Sequence, residues 1–179
     1  MLKEKLKSAL YTAANFVMNP SLREDFCAPP ITYDIVCRDR DGNFKWRECV
    51  TNLVTTAGKT DIVDKYLKGS SYTAAWYLGL KGTGSAAAGD TLASHGGWSE
   101  VTPYSGNRPA ITWGTTTTGS NTGSAVEISI TGSATVAGAF VASVNSGSSG
   151  VLYSVSDFSA SRTVASGDTL NVTPTISVS

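Results

Sequence analysis

The sequence predicts a mainly β protein: an antiparallel β-sandwich, Ig-like or jelly-roll-like, with an N-terminal helix and a β-hairpin as an extension. Three observations carry that expectation. From Trp98 onward, short apolar runs are punctuated by turn residues roughly every 8 to 12 positions, the spacing of sandwich strands. Ser71–Leu80, SYTAAWYLGL, is apolar on both parities, as a strand covered on both faces would be. Charge also thins out along the chain. The 179 residues carry 14 basic and 14 acidic side chains. From Ser71 onward the charges are only Lys81, Asp90, Glu100, Arg108, Glu127, Asp157, Arg162 and Asp168. The rest of that half is kept polar by Ser, Thr and Gly. The balanced charge gives no support for nucleic acid as a partner, and no window is apolar enough for a membrane span.

Two stretches are expected: residues 1–51, a helical arm and hairpin serving attachment, and residues 52–179, the sandwich. Leu2, Leu6, Leu10, Ala13 and Val17 recur at helical spacing, with Lys3, Glu4 and Lys7 off that face. The spacing predicts an amphipathic helix over 2–18, ended by Asn19-Pro20. Its stripe either packs on its own domain or docks on a neighbour. Lys7 and Asn15 interrupt any long apolar core, so the segment does not read as a secretory signal. Ala28-Pro29-Pro30 predicts a stiff, extended connector.

Residues 31–37 and 44–50 predict a hairpin about Asp41-Gly42. In that register Cys37 faces Trp46, Ile35 faces Glu48 and Tyr33 faces Val50. Arg38, Asp39, Arg40, Asp41, Lys45 and Arg47 gather near its tip. That end is either simply solvated or a polar contact with a partner protein. The cysteines, Cys27, Cys37 and Cys49, are odd in number and irregularly spaced, so they read as thiols in a reducing compartment, with no disulfide framework and no zinc spacing.

Thr60–Lys68 predicts a second helix, capped by Thr60, with Ile62, Val63, Tyr66 and Leu67 as its buried stripe and Gly69 as its stop. Lys81–Gly89 reads as a loop. Gly89-Asp90-Thr91-Leu92 recurs as Gly167-Asp168-Thr169-Leu170, which points to shared turn chemistry: glycine at the bend, aspartate bonding nearby amides. Neither loop offers enough oxygen ligands for calcium. The single histidine, His95, lies near Ser94 and Asp90, but no nucleophile elbow surrounds them. Packing against Trp98 is the expected role. Further strands are expected at 99–104, 110–113, 125–131, 135–144, 151–158 and 169–178. Gly138 is expected at a bulge, and Pro174 is expected to make the last strand an edge or to break it. Tyr72, Trp76, Leu78, Ile128, Ile130, Phe140 and Leu170 are the expected core. Trp98, Tyr104, Trp113, Tyr153 and Phe158 read as core aromatics in preference to a sugar platform.

The chain also resembles a family of small virion proteins of tailed bacteriophages. The resemblance is carried by Asn52-Leu53-Val54, Tyr66 through Leu80, Gly89 through Glu100, and Asn107-Arg108-Pro109-Ala110. It continues through Gly138-Ala139-Phe140-Val141, Val151-Leu152-Tyr153 and Ser166 through Thr173. It covers residues 52 to the C-terminus and implies a structural part of a phage particle, with no catalytic residues and no cofactor or metal. The expectation is a non-enzymatic capsid decoration or cement protein, made in the host cytoplasm and resident on the virion. Its partners would be the major capsid protein or other virion proteins, together with copies of itself. The contacts would run through Leu2, Leu6, Leu10, Val17, Arg38, Arg40, Lys45 and Arg47. The alternatives are a collar, tail or fibre component touching tail proteins or host glycans, and a cell-wall hydrolase.

Overall fold

Alternation of apolar and polar residues builds the first sheet directly. In β1 (Ile31–Arg38), Ile31, Tyr33, Ile35 and Cys37 are buried and the residues between them are not. β2 (Phe44–Thr51) pairs with it in the expected register, Cys37 with Trp46, Ile35 with Glu48 and Tyr33 with Val50. Asp39 organises the turn: its carboxylate accepts from the backbone N–H of Asp41 and of Asn43, at 2.9 and 2.8 Å. A register shift between Cys37 and Arg38 turns the root of β2 outward and leaves Phe44 62% exposed, off the expected shared face.

The computed structural model describes residues 30–71 and 75–177. Within them, the remaining elements are β3 (Leu53–Val54), α1 (Thr56–Ile62) with a π-helical continuation Val63–Leu67, β4 (Tyr77–Gly84) and β5 (Trp98–Val101). After these come β6 (Ser120–Thr122), β7 (Val126–Ser129), β8 (Ala134–Ala142), β9 (Leu152–Val164) and β10 (Thr169–Ser177). They form two antiparallel sheets. Sheet A runs β2-β1-β10, with β7 and β6 sharing the far side of β10; sheet B runs β3-β9-β8-β4-β5. The fold is therefore mainly β and sandwich-like, as expected. Its core holds Leu78, Ile128, Ile130 and Leu170 of the expected set; Phe140 is also buried, in a second cluster, while Trp76 is half-buried against Tyr153. Tyr72 lies outside the described residues.

Several elements differ from expectation for identifiable reasons. The hairpin is no appendage: every residue of β1 pairs with β10, from Ile31 with Ile176 to Arg38 with Thr169. A boundary at residue 51/52 thus cuts through a sheet. The strand expected over 71–80 begins at Tyr77 and runs on through Lys81 to Gly84, where a loop was expected. Gly79, Gly82 and Gly84 hid that continuation; Gly79 and Gly84 stand where no side chain fits, and a Cβ on Gly82 would press on Ser99 O and Val101 at 3.1 Å. A Cβ on Gly79 would lie 2.1 Å from the Phe140 ring that crosses it.

The helix starts earlier than expected. Thr55, not Thr60, caps it, accepting from Gly58 N–H at 3.0 Å. Gly58 disguised the first turn. It is needed because the helix rests directly on β9, and a Cβ there would lie 2.2 Å from the Tyr153 carbonyl oxygen. Ile62 packs into the core, but Val63 and Tyr66 are exposed, contrary to the expected stripe.

Pro174 neither breaks β10 nor puts it at an edge. A strand residue aims its N–H and C=O to the same side. The Pro174 carbonyl accepts from Gly123 N–H at 2.8 Å, on the side where β7 gives way to β6. Its missing N–H therefore faces that joint and costs the pairing with β1 nothing. Residues 110–113 make only isolated bridges, Tyr77 with Ala110 and Trp113 with Gly123, in place of the expected strand. Gly138 does sit at a bulge, where the pairing of β8 with β9 shifts.

Candidate attachment surface

The four basic residues expected to meet a partner stand on or beside the β1–β2 hairpin, but they do not form one free cluster. Arg47 is held by Asp34, Nε to Oδ1 at 2.6 Å and NH2 to Oδ2 at 2.8 Å, a forked pair that raises its pKa. Lys45 donates to Asp168 Oδ2 at 2.5 Å, and that hydrogen bond raises its pKa too. Both cations are neutralised, Arg47 by Asp34 of β1 and Lys45 by Asp168 in the turn before β10. Arg38 and Arg40 remain exposed at the tip, Arg38 donating to the Gly42 carbonyl at 3.1 Å. Phe44, the strand partner of Arg38, is exposed at the same end, so one apolar and two basic side chains share the tip, the composition of an interface anchor. Leu2, Leu6, Leu10 and Val17 lie outside the described residues.

The Ser94–His95–Asp90 group is built as packing. The His95 ring stacks on Trp98, centroids 4.0 Å apart, and its Nδ1 lies 3.0 Å from the Trp98 carbonyl oxygen. Asp90 accepts from Trp98 Nε1 at 2.8 Å and from Ala87 N–H at 2.9 Å. Its carboxylate is thus committed to Trp98 and the turn. The repeated Gly-Asp-Thr-Leu motif is one device used twice. In the second copy Asp168 accepts from Ala165 N–H at 2.8 Å, also three residues earlier. Each aspartate N–H returns to the carbonyl of that same alanine at 3.0 Å. Leu92 and Leu170 are buried directly after each turn. The two turns differ at glycine, since only Gly167 has positive φ, +94°.

Three ionic groups escaped the sequence reading. Lys81 has a fully buried side chain; its Nζ donates to Asp157 at 2.7 Å, to Gly82 O at 3.1 Å and to Gly84 O. Gly138 leaves room for it, as a Cβ there would meet Lys81 Cδ at 3.0 Å. Arg108 grips Glu100 through two bonds, 2.8 and 2.7 Å, and donates to Val144 O and Gly147 O, both at 3.0 Å. Glu48 of β2 takes bonds from Arg162 and Ser159 of β9, fastening one sheet to the other. Burial alone would raise the Glu48 pKa; the Arg162 and Ser159 hydrogen bonds outweigh it and hold the carboxyl below its ordinary value. The signal that could have found these groups is scarcity. Of the eight charges after Ser71, all except Glu127 make one of these contacts.

Among the described residues no group of three potential ligands could hold a metal ion. Cys37 is a buried thiol, pushed up to about 11 by burial and next by the Asp168 charge; Cys49 is exposed, and both are free. Cys27 lies outside the described residues. Tyr104, Tyr153, Phe158 and Trp98 are buried, and Trp113 packs half-buried against the core. No protein-family model matches the chain, and no curated protein matches its sequence.

Proposed function

We propose that the chain is a non-enzymatic structural protein of a tailed-bacteriophage virion, one that decorates and cements the capsid. One observation carries the reading: the residues of the resemblance are scaffold. Asp90 and Asp168 staple turns, His95 and Trp98 pack together, Arg108 fastens a loop, and Gly138 admits Lys81. A pattern spent on holding a sandwich together fits a family defined by structural service. The exposed hairpin tip, with Arg38, Arg40 and Phe44, and the N-terminal stripe supply contact surfaces to the major capsid protein and to further copies. A modest contact repeated over many linked copies gives a stable shell.

The test is binding of the purified chain to mature heads, together with the heat resistance of particles lacking it. Heads that neither bind the protein nor lose resistance in its absence would sink the proposal. A collar, tail or fibre component is the second reading, favoured by the same exposed tip. Copy number separates the two: hundreds per virion for a capsid role, a dozen or fewer for the neck or tail. For a hydrolase, His95→Ala would abolish turnover while leaving the fold intact.

A further inference from the structure

We propose that β2 is a dimerisation edge: two copies of the chain pair antiparallel through it, about a two-fold axis at Cys49, and make sheet A continuous across both. The inference stands apart from the virion reading, because it concerns the isolated protein. β2 runs eight residues, Phe44–Thr51, without glycine or proline, and forms one end of sheet A. The elements at the other sheet ends are shorter: β3 has two residues, β6 three, and β5 and β7 four each.

The free backbone groups of β2 can be assigned residue by residue. Asn52 N–H donates to Ile31 O at 3.0 Å, so Asn52 aims its backbone at β1. Alternation then turns Val50, Glu48 and Trp46 toward β1, and Thr51, Cys49 and Arg47 away from it. Arg47, Cys49 and Thr51 are exposed, and among the described residues no strand pairs with their side of β2. Such a row of open N–H and C=O groups is a template for another strand.

Charge, apolar exposure and packing make a second β2 the occupant. A two-fold axis between residues would oppose a free backbone group to a committed one, so the axis falls at a residue. At Arg47 or at Glu48 it would set like charges face to face, which is unfavourable. At Cys49 it does not: Lys45 faces Leu53 of the second copy, Arg47 faces Thr51 and Glu48 faces Val50. An axis beyond Cys49 shortens the ladder, because β2 ends at Thr51. Phe44 and Leu53, 62% and 41% exposed, stand at opposite ends of this edge. An antiparallel second copy brings the Phe44 end of each against the Leu53 end of the other, the reciprocal contact of a two-fold interface. Trp46 and Val50 pack on the core but stay half-buried, and a neighbouring strand covers what they leave exposed.

Sedimentation velocity on the full chain tests this. The parent should sediment at twice the monomer mass. Cys49→Lys sets two ammonium groups face to face at the axis and should be a monomer with the parent's circular dichroism. Cys49→Glu, with two carboxylates opposed, should behave the same way. Mixed in equal amounts the two variants should form a dimer again, a recovery that misfolding of either would not allow. In a Cys27→Ser chain, a short bifunctional thiol reagent should join Cys49 to Cys49, whose Cα atoms lie about 5.5 Å apart at a hydrogen-bonded pair. Thr51→Cys/Cys49→Ser in the same background should not be joined, since Thr51 faces Arg47. A parent that stays monomeric at high concentration overturns the proposal, whether the edge is bare or covered by the chain's own residues. A dimer unchanged by either single substitution overturns it in favour of another surface. Neither result bears on the virion reading, which binding to heads tests.

Discussion

Sheet A buries one face and sheet B buries two, and most of what is unusual in the molecule follows from that difference. The outer face of sheet A is a ruled polar surface. Thr51, Thr32, Thr175 and Thr122 line up across four strands at one register, with hydroxyl contacts of 3.4 Å between Thr32 and Thr51 and 3.0 Å between Thr122 and Thr175. The outer face of sheet B is roofed. Leu92 and Trp98, with Ala86 packed against them, cover Phe140, Ala142, Leu152 and Val155 as a second core. A two-faced sheet must also dispose of any charge it carries, so Lys81 ends fully buried with its three protons donated.

The largest effect should come from emptying the second core beneath that roof. Phe140→Ala removes the fully buried ring that covers Gly79, joins Trp98 at 5.4 Å and lies under Arg108. Urea unfolding should show a loss of about 3–5 kcal/mol. Trp76→Ala should cost less, since Trp76 is only half-buried. Parity between the two would place the second core on a level with the periphery. Next comes Asp157→Ala, which leaves the Lys81 ammonium buried with only carbonyls; the expected loss is about 3 kcal/mol. Asp157 is itself 44% exposed, so a loss near zero would show that water reaches the lysine once the carboxylate is gone.

The same difference decides what was legible in the sequence. β1, β2 and β10 alternate, so their faces follow from parity, Phe44 excepted, and the register of the hairpin follows from a turn centred on Asp41-Gly42. β8 is apolar on both parities, and neither its bulge partner nor its roof is written in it. Glycine hid the rest. Gly58, Gly79 and Gly138 look like breakers, but each marks a close approach, to Tyr153 O, to the Phe140 ring and to Ser156 O. The site was legible only in part. Arg38 and Arg40 are at the tip as expected, while the partners of Lys45 and Arg47, Asp168 and Asp34, sit 123 and 13 residues away in sequence. No local pattern reveals the first of these.

Gly58→Ala sharpens the point about glycine. Propensity alone predicts a gain of about 1 kcal/mol. The clash with backbone at 2.2 Å predicts a net loss of about 1–3 kcal/mol instead. A stabilised variant would mean that the helix does not rest on β9.

The tie between the sheets is readable through pH. The Glu48 carboxyl has a depressed pKa in the fold, so its contribution is complete above the unfolded value, about 4.3, and is lost as pH falls through the lower folded value. The parent's melting temperature should fall from about pH 5 downward. Glu48→Gln should start lower at neutral pH and decline less steeply on acidification. Parallel curves would assign the acid sensitivity elsewhere, Asp39 being the other carboxyl with a lowered pKa among the described residues.

The smallest effect tests the claim that scarce charges are structural. Glu127 lies on β7 opposite Asn171 in the outer, bare face of sheet A, and its side chain is exposed. Among the described residues it makes no ion pair or turn contact of the kind the other seven charges after Ser71 make. It is exposed on the outer face of sheet A, which carries no second core among the described residues. Glu127→Ala should therefore change stability by no more than about 0.5 kcal/mol, the range for surface substitutions. Set beside Asp157→Ala in the same urea titration, it measures the distance between the two sheets directly: one charge standing on an open face, the other balancing an ammonium that sheet B has enclosed. A loss at Glu127 comparable to that at Asp157 would mean that the outer face of sheet A is also covered in solution, by a second copy or by another part of the chain.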